Sequence, residues 1–346
     1  MPITGICEVV YGVADMAGCA RFWADYGLRE VAAGVDGSRA DRDSRVFAAT
    51  DGSLITIAPI DSPALPPANF SGSGVRRTFL AVSDAASLTA LAQRLGDAGA
   101  LEQAGETEVL FTDIDGNPMG LRVFRPHPFV CRPDPVNAPG HIVRLNQHRK
   151  WRARAQPRKI NHIVYWSDDY VRAYEWYRDT LGFRMTDHAK ANGIFARADG
   201  AFEHHTLFWL TTGHPGKAGM KGYAHIAFAL EDVDEVMVGA NYMLDQGWSN
   251  ERPFAASLNR HRISSALYYY FPCPAGGDAE YHADTDYLDD GWIPRVWEMQ
   301  FGASMWGSQS PGFFGEKGIS WDVALDYDGE SLDAWRGPPS EWLERK

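Results

Sequence analysis

Apolar and polar positions follow the same order in two distant parts of the chain. Residues 6–28 (ICEVVYGVADMAGCARFWADYGL) and 160–183 (INHIVYWSDDYVRAYEWYRDTLGF) each begin with an apolar run and continue through an Asp-containing turn. A stretch with aromatic residues at helical spacing follows, and it closes with Gly before a large apolar residue. Because Gly readily adopts the left-handed conformation that ends helices, both stretches predict a strand followed by a helix.

A second unit also occurs twice. Residues 76–100 and 223–248 each have an apolar strand pattern, an Asp at a helix N-cap position, an amphipathic helix pattern and a closing Gly. Two further strand patterns, separated by a turn rich in Gly, Pro or Asp, follow at 108–124 and 266–283. The chain is therefore predicted to contain internal repeats, which determine its architecture.

The repeats predict an α+β fold built from four βαβββ modules. We expect the modules to pair into two domains, each an incomplete, curved, mixed β-barrel with helices outside. The predicted N-terminal domain is 1–130, and the second domain is 158–285. Residues 131–157, rich in Pro and polar residues, are expected to form a linker, and 286–346 a C-terminal tail.

Composition excludes several classes of function. The net charge of −12 argues against nucleic-acid binding, and the short basic stretch at 148–152 is interpreted as a solvated part of the linker. The four cysteines form no CxxC pair, and we find neither a signal peptide nor an apolar run long enough to span a membrane. We expect a cytoplasmic protein that forms a homo-oligomer, because its sheets have edges to cover.

Three candidate metal ligands lie at corresponding strands of the last two modules. His162 is on the first strand of the third module, His225 is on the first strand of the fourth, and Glu280 is on the last strand of the fourth. Two neutral imidazoles and one carboxylate form the facial triad that is typical of non-haem Fe(II) oxygenases, and this triad leaves coordination positions open.

A single His on a strand is more often a packed or surface residue than a ligand, so each of the three alone would be weak evidence. The repeat strengthens the hypothesis, because the first half has Cys7 or Glu8, Arg77 and Leu121 at the equivalent places. Residues required by the fold alone should recur in both halves. The asymmetry predicts a scaffold half and a working half.

Other polar residues occur near these strands. His204 and His205 lie in a predicted strand, where alternation would send them to opposite faces, so only one can point at a metal. His261 and Tyr270 precede Glu280. His188, His214 and His282 have no such context and are interpreted as ordinary structural residues.

These motifs resemble the type I extradiol ring-cleaving dioxygenases of the vicinal oxygen chelate (glyoxalase, bleomycin resistance and dioxygenase) superfamily. The most specific stretch is 259–287, where a His is followed by a Tyr after nine residues and by a Glu after ten more. The tail is loosely similar to that of the homoprotocatechuate dioxygenases, in which a C-terminal segment covers the active site. The chain also resembles the dihydroxybiphenyl dioxygenases.

The resemblance implies that His162, His225 and Glu280 bind Fe²⁺, with Mn²⁺ as the alternative. It implies that His205, rather than His204, acts as acid and base. Tyr270 would hydrogen-bond a metal-bound substrate oxygen, and His261 would assist nearby. Where homoprotocatechuate enzymes carry an Arg that grips a carboxylate, this chain has Ala256, so an acidic substrate side chain is not supported.

The implied reaction is cleavage of a catechol-type ring by O₂ beside its two hydroxyls, giving a semialdehyde or keto acid during degradation of aromatic compounds. One alternative keeps the triad but acts on a hydroquinone or on 4-hydroxyphenylpyruvate. Another is a small-ligand-binding protein of the same superfamily that performs no catalysis. The sequence does not separate the substrates or the side of the ring that is cut.

Overall fold

The computed structural model describes residues 3–32, 43–68, 70–213, 222–251, 257–298 and 302–307. In the first half the elements are β1 (Ile3–Val13), α1 (Met16–Asp25), β2 (Arg29–Val31), β3 (Arg45–Ala48), β4 (Leu54–Pro59), β5 (Gly74–Val82), α2 (Ala85–Asp97), β6 (Leu101–Ala104), β7 (Glu108–Thr112) and β8 (Pro118–Val123). They form one mixed sheet in the order β2-β3-β4-β1-β5-β8-β7-β6.

The second half repeats this arrangement. Its elements are β9 (Lys159–Ser167), α3 (Tyr170–Leu181), β10 (Arg184–Ala189), β11 (Gly193–Arg197), β12 (Leu207–Thr211), β13 (Gly222–Ala229), α4 (Val233–Asp245), β14 (Asn259–Arg260), β15 (Leu267–Pro272), β16 (Asp278–Ala283), β17 (Arg295–Trp297) and β18 (Trp306–Gly307). The sheet order is β17-β10-β11-β12-β9-β13-β16-β15-β14-β18. The prediction of an α+β fold with four βαβββ modules is confirmed.

Each of the four helices in the described residues begins in the same way. An Asp at the N-cap accepts a hydrogen bond from the backbone N–H three residues later, which satisfies one of the free donors of the first turn. The four caps are Asp15, Asp84, Asp169 and Asp232. After α3 the chain turns at Gly182, whose φ of 78° lies in the left-handed region. The local signals of the sequence therefore act at the predicted places.

The second sheet is curled so that its two edges approach each other. Strands β17 and β18 lie at opposite edges, and ten strands laid flat would separate them by about 43 Å. The nine-residue step from Trp297 to Trp306 reaches about 31 Å at most. Ile263, from the loop after β14, packs against Ala189 of β10 and Trp297 of β17. The described part of the predicted tail therefore adds a strand to each edge of an incomplete barrel.

Helices α1 and α3 join the two halves. In α1, Trp23 and Tyr26 pack against Phe228 of the second sheet, and Tyr26 stacks on Tyr281. In α3, the Tyr177 hydroxyl donates to buried Asp113 of the first half. One hydrophobic core consequently spans both sheets. The domain boundaries drawn from the sequence stay a prediction.

The basic stretch at 148–152 is largely exposed, in agreement with its interpretation as solvated, and its charged side chains also form ion pairs. Arg149 pairs with Asp234, and Lys150 and Arg152 pair with Glu231, at the start of α4. Acidic residues favour the N-terminal end of a helix, and here they also bind the connecting segment. Among the described residues, each helix is too short or too polar to cross a lipid bilayer.

Candidate metal centre

The candidate ligands lie on three neighbouring strands of the second sheet. His162 on β9 is directly opposite Ala227 on β13, and Ala227 is opposite Glu280 on β16. Paired residues point to the same face of a sheet, and His225, two residues before Ala227, shares that face. Ala227 separates His162 from Glu280 with only a methyl group. Their long side chains can therefore meet above it.

The three potential ligand atoms form a nearly equilateral triangle. His162 Nε2 lies 3.3 Å from both His225 Nε2 and Glu280 Oε2, and His225 Nε2 lies 3.2 Å from Glu280 Oε2. Ligands held about 2.1 Å from one ion at right angles would lie about 3.0 Å apart. The spacing therefore fits three donors on one side of a divalent cation.

The protonation of these groups also suits a cation. His162 Nδ1 lies 2.9 Å from Asn161 Oδ1, an acceptor, so Nδ1 carries the ring proton and Nε2 presents a lone pair. Burial lowers the pKa of His162 to about 3, which keeps the ring neutral. Burial acts to raise the pKa of Glu280, but its histidine neighbours outweigh it and hold that pKa well below its usual range.

Glu280 Oε2 is buried and receives no hydrogen bond within the described part of the chain. An ionised carboxylate oxygen without a donor is costly to bury. Nε2 of His162 and Nε2 of His225 face it instead. A divalent transition-metal ion with affinity for both nitrogen and oxygen donors would satisfy all three groups at once.

His204 and His205 are both buried, but they precede β12 rather than lie on it, so the predicted strand alternation is wrong there. Because the backbone is irregular at these residues, the two rings meet instead of pointing to opposite faces. Their Nδ1 atoms are 3.1 Å apart. The His205 ring packs on the His162 ring, with centroids 4.0 Å apart. His205 is thus the member of the pair that reaches the candidate centre.

The environment of His205 is apolar on its other side. Phe195 lies edge-on to the His205 ring at 5.0 Å and stacks on Phe208 at 3.8 Å. Burial, followed by the neighbouring His162 and other histidines, holds the pKa of His205 well below its usual value. The ring is therefore neutral and able to accept a proton.

Tyr270 and His261 lie on the opposite side of the centre. Tyr270 is paired with Glu280 across β15 and β16, and its ring centroid is 5.2 Å from that of His225. His261 Nδ1 is 2.5 Å from the carbonyl oxygen of Ala303 and donates to it, and the ring stacks on Tyr268. Burial lowers the pKa of His261 to about 4.

Two residues near the centre were missed from the sequence. His282, interpreted as ordinary, is buried with its Nδ1 3.7 Å from Glu280 Oε1 and its ring centroid 5.3 Å from that of His162. Strand alternation from Glu280 would have placed it on the same face. Asn161 could not be recognised from the sequence, because it lies at a β-bulge where the pairing of β9 with β13 shifts, and repeat patterns do not reveal such shifts.

The remaining sequence candidates lie elsewhere. His188 is buried beside the Tyr170 hydroxyl, with Nε2 3.4 Å from that oxygen. His214 and Ala256 fall outside the described residues.

Strand register corrects the assignment of Leu121 as the first-half equivalent of Glu280. Glu280 pairs with Tyr270 across a hairpin, and the corresponding pair in the first half is Gly120 with Leu110. Leu121 points to the other face and belongs to the hydrophobic core. Both turns close in the same way, with Thr112 paired to Pro118 and Pro272 paired to Asp278. The equivalence was off by one residue because Tyr270 corresponds to Leu110 rather than to Phe111, and a one-residue shift exchanges the faces of a strand.

Comparison with known proteins agrees with this fold. Residues 159–252 match the Glyoxalase/Bleomycin resistance protein/Dioxygenase superfamily model. The chain therefore contains a domain of this superfamily, as its sequence motifs suggested.

Among curated relatives, Metapyrocatechase 2 of Cupriavidus necator is 28% identical over 217 residues, which are 60% of this chain and 63% of that protein. A manganese-dependent 2,3-dihydroxybiphenyl 1,2-dioxygenase of Geobacillus genomosp. 3 is 24% identical over 44% of this chain and 49% of its own length. An iron-dependent extradiol dioxygenase of Rhodococcus jostii is 27% identical over 43% and 50%, respectively. The match thus spans about half to two thirds of these relatives.

Solved structures share the fold over most of the chain. A Mn(II)-bound glyoxalase from Novosphingobium aromaticivorans has a TM-score of 0.65 at 20% identity and covers 94% of this chain and 99% of its own. Homoprotocatechuate 2,3-dioxygenase from Arthrobacter globiformis has a TM-score of 0.64 at 16% identity, with 90% and 91% covered. At these identities the likeness establishes the fold alone.

Proposed function

We propose that the protein is an extradiol dioxygenase, which opens a catechol-type ring beside its two hydroxyls with O₂. The observation that carries the proposal is the triangle of His162 Nε2, His225 Nε2 and Glu280 Oε2, with sides of 3.2–3.3 Å. The names of the curated relatives support the reaction class, and they include both iron-dependent and manganese-dependent enzymes. The metal is therefore proposed to be Fe²⁺, with Mn²⁺ as the alternative.

His162, His225 and Glu280 would hold the ion. When bound, a divalent ion with this donor set supplies positive charge that favours an ionised catechol, together with open positions for the diol and O₂. The protein's part is to keep the His162 imidazole neutral and the Glu280 carboxylate ionised. Burial and the Asn161 contact do this for His162.

His205 is proposed to move protons. Its Nδ1 contacts His204, so its Nε2 is the nitrogen that can take a proton from a substrate hydroxyl and return it later. A neutral, buried imidazole suits the first of these steps. Beside it, the Phe195 ring lies edge-on to His205 and stacks on Phe208, so His205 has an apolar neighbour on that side.

Tyr270 and His261 are proposed to hold the substrate oxygens. Tyr270 shares the face of Glu280, and its hydroxyl can donate to an ionised oxygen of the diol. The His261 ring donates through Nδ1 to Ala303, which leaves Nε2 as an acceptor for a substrate hydroxyl. The first half would serve as scaffold.

The proposal is tested with the full chain loaded anaerobically with Fe²⁺ or Mn²⁺ and presented with a panel of catechols under ¹⁸O₂. We expect a ring-opened product whose mass includes two labelled atoms. Glu280→Ala should lose both metal and turnover, whereas Glu102→Ala, at an exposed acid of the first sheet, should keep both. The proposal fails if neither metal supports cleavage of any catechol, or if Glu280→Ala retains full activity.

A further inference from the structure

A buried chain of hydrogen-bonding groups leads from Asp187 on β10 to His205. Asp187 Oδ2 lies 2.8 Å from His204 Nε2, and His204 Nδ1 lies 3.1 Å from His205 Nδ1. All three side chains are at most 5% exposed. The connection runs from the candidate centre to the segment beyond β16, because the backbone N–H of Arg295 donates to Asp187 Oδ1 at 3.0 Å.

Hydrogen-bonding rules determine where the protons lie. An ionised Asp187 can only accept, so His204 must carry a proton on Nε2. A neutral His204 then has a lone pair on Nδ1. Because two lone pairs repel each other at 3.1 Å, His205 must supply the proton between the two Nδ1 atoms. This leaves the lone pair of His205 on Nε2.

We propose that Asp187 and His204 are positioning residues that fix the tautomer of His205, with its Nδ1 protonated and its Nε2 free to accept a proton. The same contacts hold the ring against His162, since His205 is hydrogen-bonded on one edge and packs on the tilted His162 ring. The use of Nε2 in turnover rests on the proposed dioxygenase function. The tautomer itself does not.

The segment after Glu280 takes part in this arrangement. Besides the Arg295 bond to Asp187, the backbone N–H of His204 donates to the carbonyl of Asp286 at 3.0 Å. The Arg295 N–H has a further consequence for mutagenesis. An amide placed at position 187 must turn its oxygen toward Arg295 and its NH₂ group toward His204.

Asp187→Asn is therefore expected to reverse the direction in which these three side chains donate hydrogen bonds. The new NH₂ donates to His204 Nε2, which moves the His204 proton to Nδ1, and that proton is then donated to His205 Nδ1. His205 would become protonated on Nε2 and could no longer accept there. The substitution keeps the shape of the side chain, so the change is one of proton position, as when an Asp that orients a catalytic His is replaced by Asn.

The tautomer is measured by two-bond ¹H–¹⁵N correlation of the imidazoles in the full chain, with Zn²⁺ as a diamagnetic probe. His205→Phe assigns the signal by its loss. We expect His205 to be Nδ1-protonated in the unmodified protein and Nε2-protonated in Asp187→Asn. Asp199→Asn removes a comparable charge from the Arg184 ion pair and should leave the tautomer unchanged.

Kinetics provide the second readout. In Asp187→Asn we expect kcat to fall about 100-fold, while KM changes less than about twofold and metal content stays the same. An unchanged His205 tautomer in Asp187→Asn would overturn the proposal, and so would an Nε2-protonated His205 in the unmodified chain. If the tautomer reverses but no catechol is cleaved by either protein, the proposed dioxygenase function fails and the tautomer assignment stands.

Discussion

The two halves of the chain present the same sheet face and fill it differently. Across β9, β13, β16 and β15, one row of paired residues crosses the second sheet. Across β1, β5, β8 and β7, the equivalent row crosses the first. The row in the second sheet is His162, Ala227, Glu280 and Tyr270. The equivalent row in the first sheet is Glu8, Phe79, Gly120 and Leu110.

In the first half an aromatic ring occupies the space that corresponds to the space above Ala227 in the second half. Phe79 stands where the second half has Ala227, and a Cβ added to Gly120 would lie 2.3 Å from the Phe79 ring. The Arg122 guanidinium lies 4.0 Å from the centroid of that ring and pairs with both Glu8 and Glu108. The buried acid of this half is thus neutralised by the protein itself.

In the second half a methyl group replaces the ring and histidines replace the guanidinium. Glu280 faces His162 and His225, and His282 stands at the position of Arg122. These side chains carry no permanent positive charge, so a bound cation would balance the charge of Glu280. Volume and charge at a few positions therefore distinguish a filled sheet face from a candidate metal centre on one fold.

Ala227→Phe places the first half's ring in the second half and should have the largest effect. Because the ring would lie between His162 and Glu280, we expect metal content to fall below a tenth of normal and turnover to fall by about three orders of magnitude. Metal analysis and a catechol assay measure this. Ala229→Phe is the matched control, since Ala229 lines a cavity of about 460 Å³ between the halves. Equal metal content in both variants would refute the role of Ala227.

His205→Phe separates the proton-moving residue from the ligands. We expect the variant to bind metal normally and to lose between about 10² and 10⁴ in kcat, because the proton acceptor is gone. His188→Phe removes a buried histidine beside Tyr170 and should retain activity. Full activity in His205→Phe would remove its assigned role.

Phe79→Ala is the reverse exchange in the first half. Deleting a buried Phe should lower the free energy of unfolding by about 3–5 kcal/mol, as a cavity replaces the ring. Urea unfolding measures this loss. Metal content should not change, because the ligands lie in the other half. A second bound metal in this variant would show that volume alone separates the two faces.

The halves should also respond differently to acid. Burial lowers the pKa of His188 to about 4, so the unfolded chain binds a proton there below about pH 6.5 and the folded chain does not. This contributes a loss of about 2 kcal/mol in the free energy of unfolding between pH 7 and pH 5.

In the first half burial raises the pKa of Asp115 to about 6, so the folded state binds the proton more tightly and gains stability as pH falls. Hydrogen exchange at pH 7 and pH 5 should therefore show the second half opening more readily at the lower pH. His188→Phe should reduce that difference. An equal change in both halves would contradict it.

The internal repeat was the basis for most of the fold and site features that could be predicted from the sequence. The four modules follow from strand patterns, Asp caps and closing glycines, which act locally. The roles suggested for His162, His225 and Glu280 followed from their absence in the first half, and the structure brings the three together. Their function as ligands stays a prediction.

Other features depend on information that residue patterns do not contain. The pairing of Gly120 rather than Leu121 with Leu110 depends on hairpin register. The contact of His204 with His205 arises from irregular backbone before β12. Ala227 carries no chemistry of its own, so its role becomes visible only when its cross-strand partners are known.

The most direct test is a crystal structure of the full chain loaded anaerobically with Fe²⁺, with anomalous diffraction measured at the iron edge. We predict a single peak bounded by His162 Nε2, His225 Nε2 and Glu280 Oε2, and none beside Glu8 and Arg122. Iron bound elsewhere, or these three side chains turned away from each other around packed residues, would contradict the account.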